Sequence, residues 1–402
     1  MMDVLSFLPA AASLALALLC CLFIVKRWGA PPLAGRFATI DGLRGYLAFF
    51  VFLHHSCIWY FYARYGSWSV PPSNMYTNFG QGSVAMFFMI TSFLFFTKLL
   101  HSRQHSFDWG KLYTSRIMRL TPLYMFAMLL LFSIVFYISG ARLNVDISQL
   151  LLQIGQWLMF TPLGAPDLNG VAQTSVIVAG VTWSLPYEWL FYLLLPLLAL
   201  PLRIMPPWPY LLLSMLVLAV TLVLVWYMQA PVHHFLAFLS GICAALLVQR
   251  EAFRRFCAGR WASILAVTCL VVACLAFPTA HEGFSLLLLS VGFALIAGGS
   301  SLFGVLNLSV SRTLGEFAYS IYLLHGLLLF VTFHFLLGSE RARELSPAMH
   351  WSVIMLLTPV LVFGCLMTFR CIERPGMHYR GTPIRYLSMF LGSKPSKDVP
   401  AP

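Results

Sequence analysis

Charge is what this chain has least of. Asp, Glu, Lys and Arg make up 9% of its 402 residues against 60% hydrophobic, and the mean hydropathy is +0.84. A soluble domain carries roughly a quarter charged residues, so a water-soluble globule is excluded. Acids are the scarcer sign, 13 against 25 Lys and Arg. The nine cysteines include no C-x-x-C pair; they read as buried free thiols in apolar runs, with no metal site and no disulfide framework. An internal repeat is also missing, which counts against a transporter built from two inverted halves.

What is present is a succession of apolar runs, each long enough to cross a bilayer. Eleven candidate spans lie near 5–25, 42–62, 82–100, 121–139, 182–202, 208–228, 233–250, 261–278, 283–300, 314–337 and 348–370. The expected fold class is therefore all-α, a polytopic integral membrane helix bundle. Alternate loops hold nearly all the basic residues, and only Arg64, Arg142, Arg341 and Arg343 fall on the other side. The positive-inside rule then puts the N-terminus outside and the C-terminus in the cytoplasm, which needs an odd number of spans. The net charge of +12 reports topology and contact with anionic lipid; no nucleic-acid partner is expected. "MMD" precedes the first span without a basic residue and "KR" follows it, the flanks of a retained anchor rather than of a signal peptide. Residues 140–181 form the longest outside connection, and its "QLLLQIGQWLMF" reads as a half-helix on the membrane or as a plain surface loop. The "GSKPSKDVPAP" tail (392–402) reads as disordered.

Ionisable groups inside spans are costly and so are functional candidates. Glu188 is the one acid clearly within a span; Asp41 and Glu316 sit at cytoplasmic ends, and the deep histidines are His54, His55, His325 and His334. Helix rise places His55 about 16 Å up from Arg44, leaving roughly 10 Å to the outer edge, and Glu188 roughly 9 Å below that edge. At similar depth, an imidazole and a carboxylate suit general-base chemistry, with the acid fixing the tautomer. Interhelical hydrogen-bond glue is the alternative. His54 and His55 point about 100° apart, so at most one faces a given site. Arg116 and Arg119, at i and i+3, join Arg44 and Lys111 at the cytoplasmic mouth. Guanidinium forks there suit a phosphate-rich ligand; ordinary positive-inside anchoring is the other reading.

Five motifs in order resemble the membrane-bound acyltransferase family 3, which O-acylates bacterial surface polysaccharides and lipopolysaccharide O-antigens. "IDGLRGYLAFFVFLHH" resembles its opening D-G-L-R signature, with Arg36 ahead of it and a histidine fourteen residues after Asp41, which selects His55. "RIMRLTPLY" carries Arg116, Arg119, Pro122 and Tyr124; "TWSLPYEWLFYLLLP" carries Trp183, Ser184, Glu188, Phe191, Tyr192 and Pro196. "LGEFAYSIYLLH" carries Gly315, Tyr319, Ser320, Tyr322 and His325, and "CIERP" carries Glu373, Arg374 and Pro375. The chain departs where the family has S-G in its third span: Thr91 and Ser92 stand there, and Ser for Gly is expected to push neighbouring helices slightly apart.

The resemblance implies a ten-helix core over residues 36–380, preceded by one extra helix with its linker (1–35) and followed by a cytoplasmic tail (381–402). It implies acyl-CoA, commonly acetyl-CoA, as co-substrate with no bound cofactor, and a glycan or lipid-linked glycan as acceptor, at the bacterial inner membrane. CoA phosphates would meet Arg44, Arg116 and Arg119, and His55 would act as general base, or as carrier of an acyl-histidine, with Glu188 orienting its ring. Asp41, Tyr124, Trp183, Ser184, Tyr192, Tyr319 and His325 would support the site or simply pack. No soluble domain follows in this sequence, so the membrane part is expected to complete the transfer or hand the acyl group to a partner. A proton-coupled transporter using the His–Glu pair, or a transferase acting on a small molecule or lipid, are the alternatives. Neither the acceptor sugar nor the oligomeric state is written in these motifs.

Overall fold

The computed structural model describes residues 3–32, 37–102, 107–228 and 233–378. Arg36, Arg103 and the 392–402 tail lie outside the described residues. In chain order the helices are α1 (Phe7–Trp28), α2 (Ala38–Tyr65), α3 (Asn74–His101), α4 (Trp109–Ile138), α5 (Ile147–Leu158), α6 (Thr174–Ile177), α7 (Ser184–Ala199), α8 (Trp208–Met228) and α9 (His233–Leu247). They continue as α10 (Glu251–Cys257), α11 (Arg260–Ala276), α12 (Gly283–Ala297), α13 (Ser309–Glu316), α14 (Ala318–Phe330), α15 (Ser339–Glu344), α16 (Pro347–Thr368) and α17 (Arg374–His378). No strand forms among the described residues. An apolar run in hydrocarbon must satisfy its backbone internally, and a helix does so within one segment.

A helix lies at each of the eleven predicted positions, but their lengths differ. Among the described residues eight helices are long and apolar enough to cross a membrane, or nine if α9 and α10, bent by 105°, count as one broken span. The apolar helices α11 and α12 have 17 and 15 residues. Fifteen residues rise only about 22 Å, short of a hydrocarbon core about 30 Å thick. Two boundaries also move. The predicted 314–337 span breaks at Phe317 into α13 and α14, which ends in a wide π-type turn at Val331–Leu336. "RIMR", read as preceding a span, lies within the 30-residue α4.

The middle of the bundle is α2, α3 and α14: 61%, 72% and 61% of their apolar windows are buried, against 6% for α8, which lies on the outside of the bundle. Glycines set how closely α2 is held. A Cβ on Gly42 would lie 2.1 Å from the Leu306 carbonyl oxygen, and one on Gly315 would lie 1.8 Å from that of Asp41. The opening "DGLRG" and the late "LGEF" are thus two sides of one backbone contact.

The chain also accommodates Ser92. Its hydroxyl donates back to the Phe88 and Met89 carbonyls (3.0 and 3.1 Å), and Gly241 of α9 packs onto it. A glycine on the facing helix thus leaves room for the serine at this crossing. α1 is tied in at both ends. Trp351 Nε1 donates to the Val4 carbonyl (3.0 Å) and the Tyr76 hydroxyl to that of Ser6 (2.8 Å), while Arg312, buried rather than in a loop, donates to that of Pro31 (2.5 Å).

Candidate active site

Four helices turn polar side chains into one cavity of about 100 Å³. Near the start of α2 comes Arg44; from one face of α4, three residues apart, come Arg116 and Arg119. Successive turns of α7 contribute Ser184, Glu188 and Tyr192, and α14 contributes Tyr319 and Tyr322, while Thr91, Phe87 and Phe95 of α3 form the wall. Three guanidiniums face one carboxylate. Arg44 lies 3.9 Å from Asp41 at the rim. Arg116 sits over the Phe95 and Tyr192 rings (4.9 and 5.9 Å), and its Nε is buried with no hydrogen-bond partner. The Tyr192 hydroxyl donates to Glu188. A crowd of half-buried cations with one buried, unmet donor is the electrostatic complement of a multiply charged anion. Lys111, grouped with these arginines in sequence, is exposed and does not line the cavity.

His55 is buried, and its neighbours fix which nitrogen carries its proton. His325 Nδ1 must donate to the Ile321 carbonyl (2.9 Å), because a carbonyl only accepts, so in a neutral ring His325 Nε2 holds a lone pair. That Nε2 lies 2.9 Å from His55 Nδ1, which also reaches the Val51 carbonyl (3.0 Å). The assignment that satisfies all three contacts has His55 Nδ1–H donating to both acceptors, leaving His55 Nε2 unprotonated. The sequence reading gave the orienting role to Glu188. In the structure the side chain bonded to His55 is His325, and Glu188 is bonded to Tyr192 in the arginine cavity.

Tyr322 connects the two regions. It lines the cavity, its hydroxyl pairs with Ser184 Oγ (2.7 Å) and donates to the Val181 carbonyl (3.1 Å), and its ring centre lies 6.4 Å from that of His325, three residues on along α14. Trp68 also stacks on the His55 imidazole (5.9 Å, 12°), with Trp59 and Tyr62 packed against Trp68. A cluster of aromatic rings therefore flanks His55.

The remaining candidates are mostly framework. His54 Nδ1 bonds the Tyr76 carbonyl (2.7 Å), and its ring lies where a Cβ on Gly80 would be, 2.5 Å away, so this histidine packs. The Tyr124 hydroxyl donates to the Trp157 carbonyl (2.6 Å), anchoring α5, whose Leu151 and Leu152 stay exposed. The "QLLLQIGQWLMF" stretch is thus a surface helix. Trp183 is half-exposed and packs on Phe88 and Tyr187, and the Tyr319 hydroxyl donates to the Leu120 carbonyl (3.0 Å). His334 is exposed in the wide turn after α14. Two residues were read only as motif members, with no place in the site: Tyr322 lines the cavity, and Glu373 is buried and accepts from Ser320.

A family model described as an acyltransferase domain matches residues 37–370, most of the chain. No curated protein and no solved structure matches. The chain belongs to the membrane-bound acyltransferase family 3.

Proposed function

We propose that this multi-pass membrane acyltransferase moves an acyl group, acetyl in the first instance, from cytosolic acyl-CoA to a hydroxyl of an extracytoplasmic glycan such as O-antigen or exopolysaccharide. The membrane is then a bacterial inner membrane, with the chain's N-terminus outside and its C-terminus in the cytoplasm. The observation that carries the reading is the continuity from the arginine cavity through Ser184–Tyr322 to the His325–His55 pair. Arg44, Arg116 and Arg119 hold the CoA phosphates, and the pantetheine arm brings the thioester toward His55. His55 Nε2 takes the proton of the acceptor hydroxyl as its oxygen attacks the thioester carbonyl. The C–S bond breaks as the ester forms, and the proton passes from His55 to the departing thiolate, releasing CoA thiol. In the two-step form Nε2 itself attacks, the C–S bond breaks and CoA leaves as a thiolate that takes a proton from water; the hydroxyl oxygen then opens the acyl-imidazolium, its proton passing to water as Nε2 regains its lone pair. His325 steadies the imidazolium in either form. The Trp68 face suits a sugar ring, which presents an apolar face and polar edges.

Two measurements test this. Purified protein should release CoA thiol from acetyl-CoA, which a transporter would not do. Cells carrying wild type should show O-acetyl signals on their surface glycan by NMR, and cells carrying His55→Ala at equal expression should lose them while His334→Ala keeps them. Normal acetylation by His55→Ala would exclude His55 as base and as carrier. Acetylated small molecules or lipids in place of acetylated glycan would redirect the acceptor.

A further inference from the structure

Away from the His55 pair, three more histidines converge. His233 and His234 open α9, and His281 sits in the connection between α11 and α12. One ring nitrogen from each lies within 4.8 Å of the others. The His233 and His281 rings are 3.8 Å apart at 24°, and His233 and His234 are 4.1 Å apart at 70°. We propose that these three imidazoles form a binding site for one divalent transition metal ion, zinc being the reference case.

Several features distinguish this cluster from chance stacking. His233 Nε2 is buried and has no hydrogen-bond partner, a cost that a metal bond removes. His234 is buried and wedged by Trp183 and Tyr187, with ring centres 4.9 and 4.8 Å away, which restricts its rotation. The turn bearing His281 is fastened to α3: the Thr279 hydroxyl and Ala280 N–H both donate to Gln81 Oε1 (2.6 and 3.3 Å), and His281 N–H donates to Thr279 Oγ1 (3.2 Å). Zinc–nitrogen bonds of about 2.0–2.1 Å put ligand nitrogens about 3.3–3.4 Å apart in a tetrahedron. Closure therefore needs side-chain rotations of about an ångström, not backbone movement.

The donor set selects the metal class. Three imidazoles suit zinc, copper or nickel and give nothing to magnesium or calcium, which require oxygen ligands. Three protein ligands leave a fourth position for water or an exogenous oxygen. Trp183 and Tyr187, which touch His234, immediately precede Ser184 and Glu188 of the cavity wall, so the ion would sit one layer outside it. It would clamp α9 and the α11–α12 turn together.

The test uses the full chain in detergent, carrying an affinity tag without histidines. After EDTA treatment and desalting it is dialysed against zinc sulfate, and bound zinc is measured by mass spectrometry alongside the thermal midpoint. The expected result is one zinc per chain and a zinc-dependent rise in midpoint. His234→Gln and His281→Gln should each weaken binding at least tenfold and abolish the rise, while His334→Gln binds as wild type. His281 lies in a turn, so monodisperse His281→Gln separates loss of a ligand from loss of fold. Wild type that retains no zinc, or undiminished binding in a monodisperse His281→Gln, would overturn the site.

Discussion

The exchange of Glu188 for His325 as the partner of His55 makes a quantitative prediction. Replacing His325 with Leu removes the acceptor that faces His55 Nδ1–H and leaves only the Val51 carbonyl, 3.0 Å away. The neutral tautomer survives on that remaining bond, so the base is still present. What is lost is a hydrogen bond that strengthens when His55 becomes an imidazolium, and bonds to charged groups contribute about 1.5–3 kcal/mol. At about 1.4 kcal/mol per factor of ten, kcat should fall about 10- to 150-fold, with KM for acetyl-CoA nearly unchanged because the arginine cavity is intact. His325→Gln, whose amide oxygen can accept from Nδ1–H, should recover part of the loss. The assay is initial-rate thiol release with acetyl-CoA and an acceptor glycan, on protein shown to be monodisperse. A merely structural His325 predicts equal losses in Leu and Gln and a parallel loss of thermal stability. Wild-type kcat in His325→Leu, or no advantage of Gln over Leu, would refute the tautomer reasoning.

Three more expectations follow from the packing and charge. Arg119→Ala should raise KM for acetyl-CoA at least tenfold with a smaller change in kcat, since a guanidinium–phosphate bond is worth about 1.5–3 kcal/mol; a kcat effect alone would remove Arg119 from donor binding. Gly315→Ala places a Cβ 1.8 Å from the Asp41 carbonyl oxygen, and backbone cannot yield as a side chain can. Its thermal midpoint in detergent should drop by the equivalent of about 1–3 kcal/mol, and an unchanged midpoint would contradict the close approach of α2 and α13. Gly241→Ala should be similarly destabilising and should not be rescued by Ser92→Gly, because the added methyl also meets the Met89 carbonyl oxygen at 2.2 Å. Rescue would mean that the serine hydroxyl was the whole obstacle.

How far the sequence carried depended on whether a signal was local. Apolar runs are local, so helices appear at all eleven predicted positions, and the arginines three apart on α4 necessarily share a face. Depth was legible only along a single helix: rise per residue separates Arg44 from His55 on α2, but Glu188, expected at the level of His55, lines the cavity beside Arg44, Arg116 and Arg119. Azimuth was not legible at all, because an expected level leaves the rotation of each helix about its axis free. That rotation was fixed by backbone approaches at Gly42 and Gly315, which bring α13 and then α14 against α2 and turn His325 toward His55. The same limit hid the His233–His234–His281 cluster. His281 is separated from the adjacent His233 and His234 by most of α9 and all of α10 and α11, so no spacing could suggest the cluster; the turn bearing His281 is fastened to α3 by Gln81. The surroundings of Ser92 were out of reach for the same reason, since nothing near it in sequence shows that Gly241 of α9 is the residue that meets it.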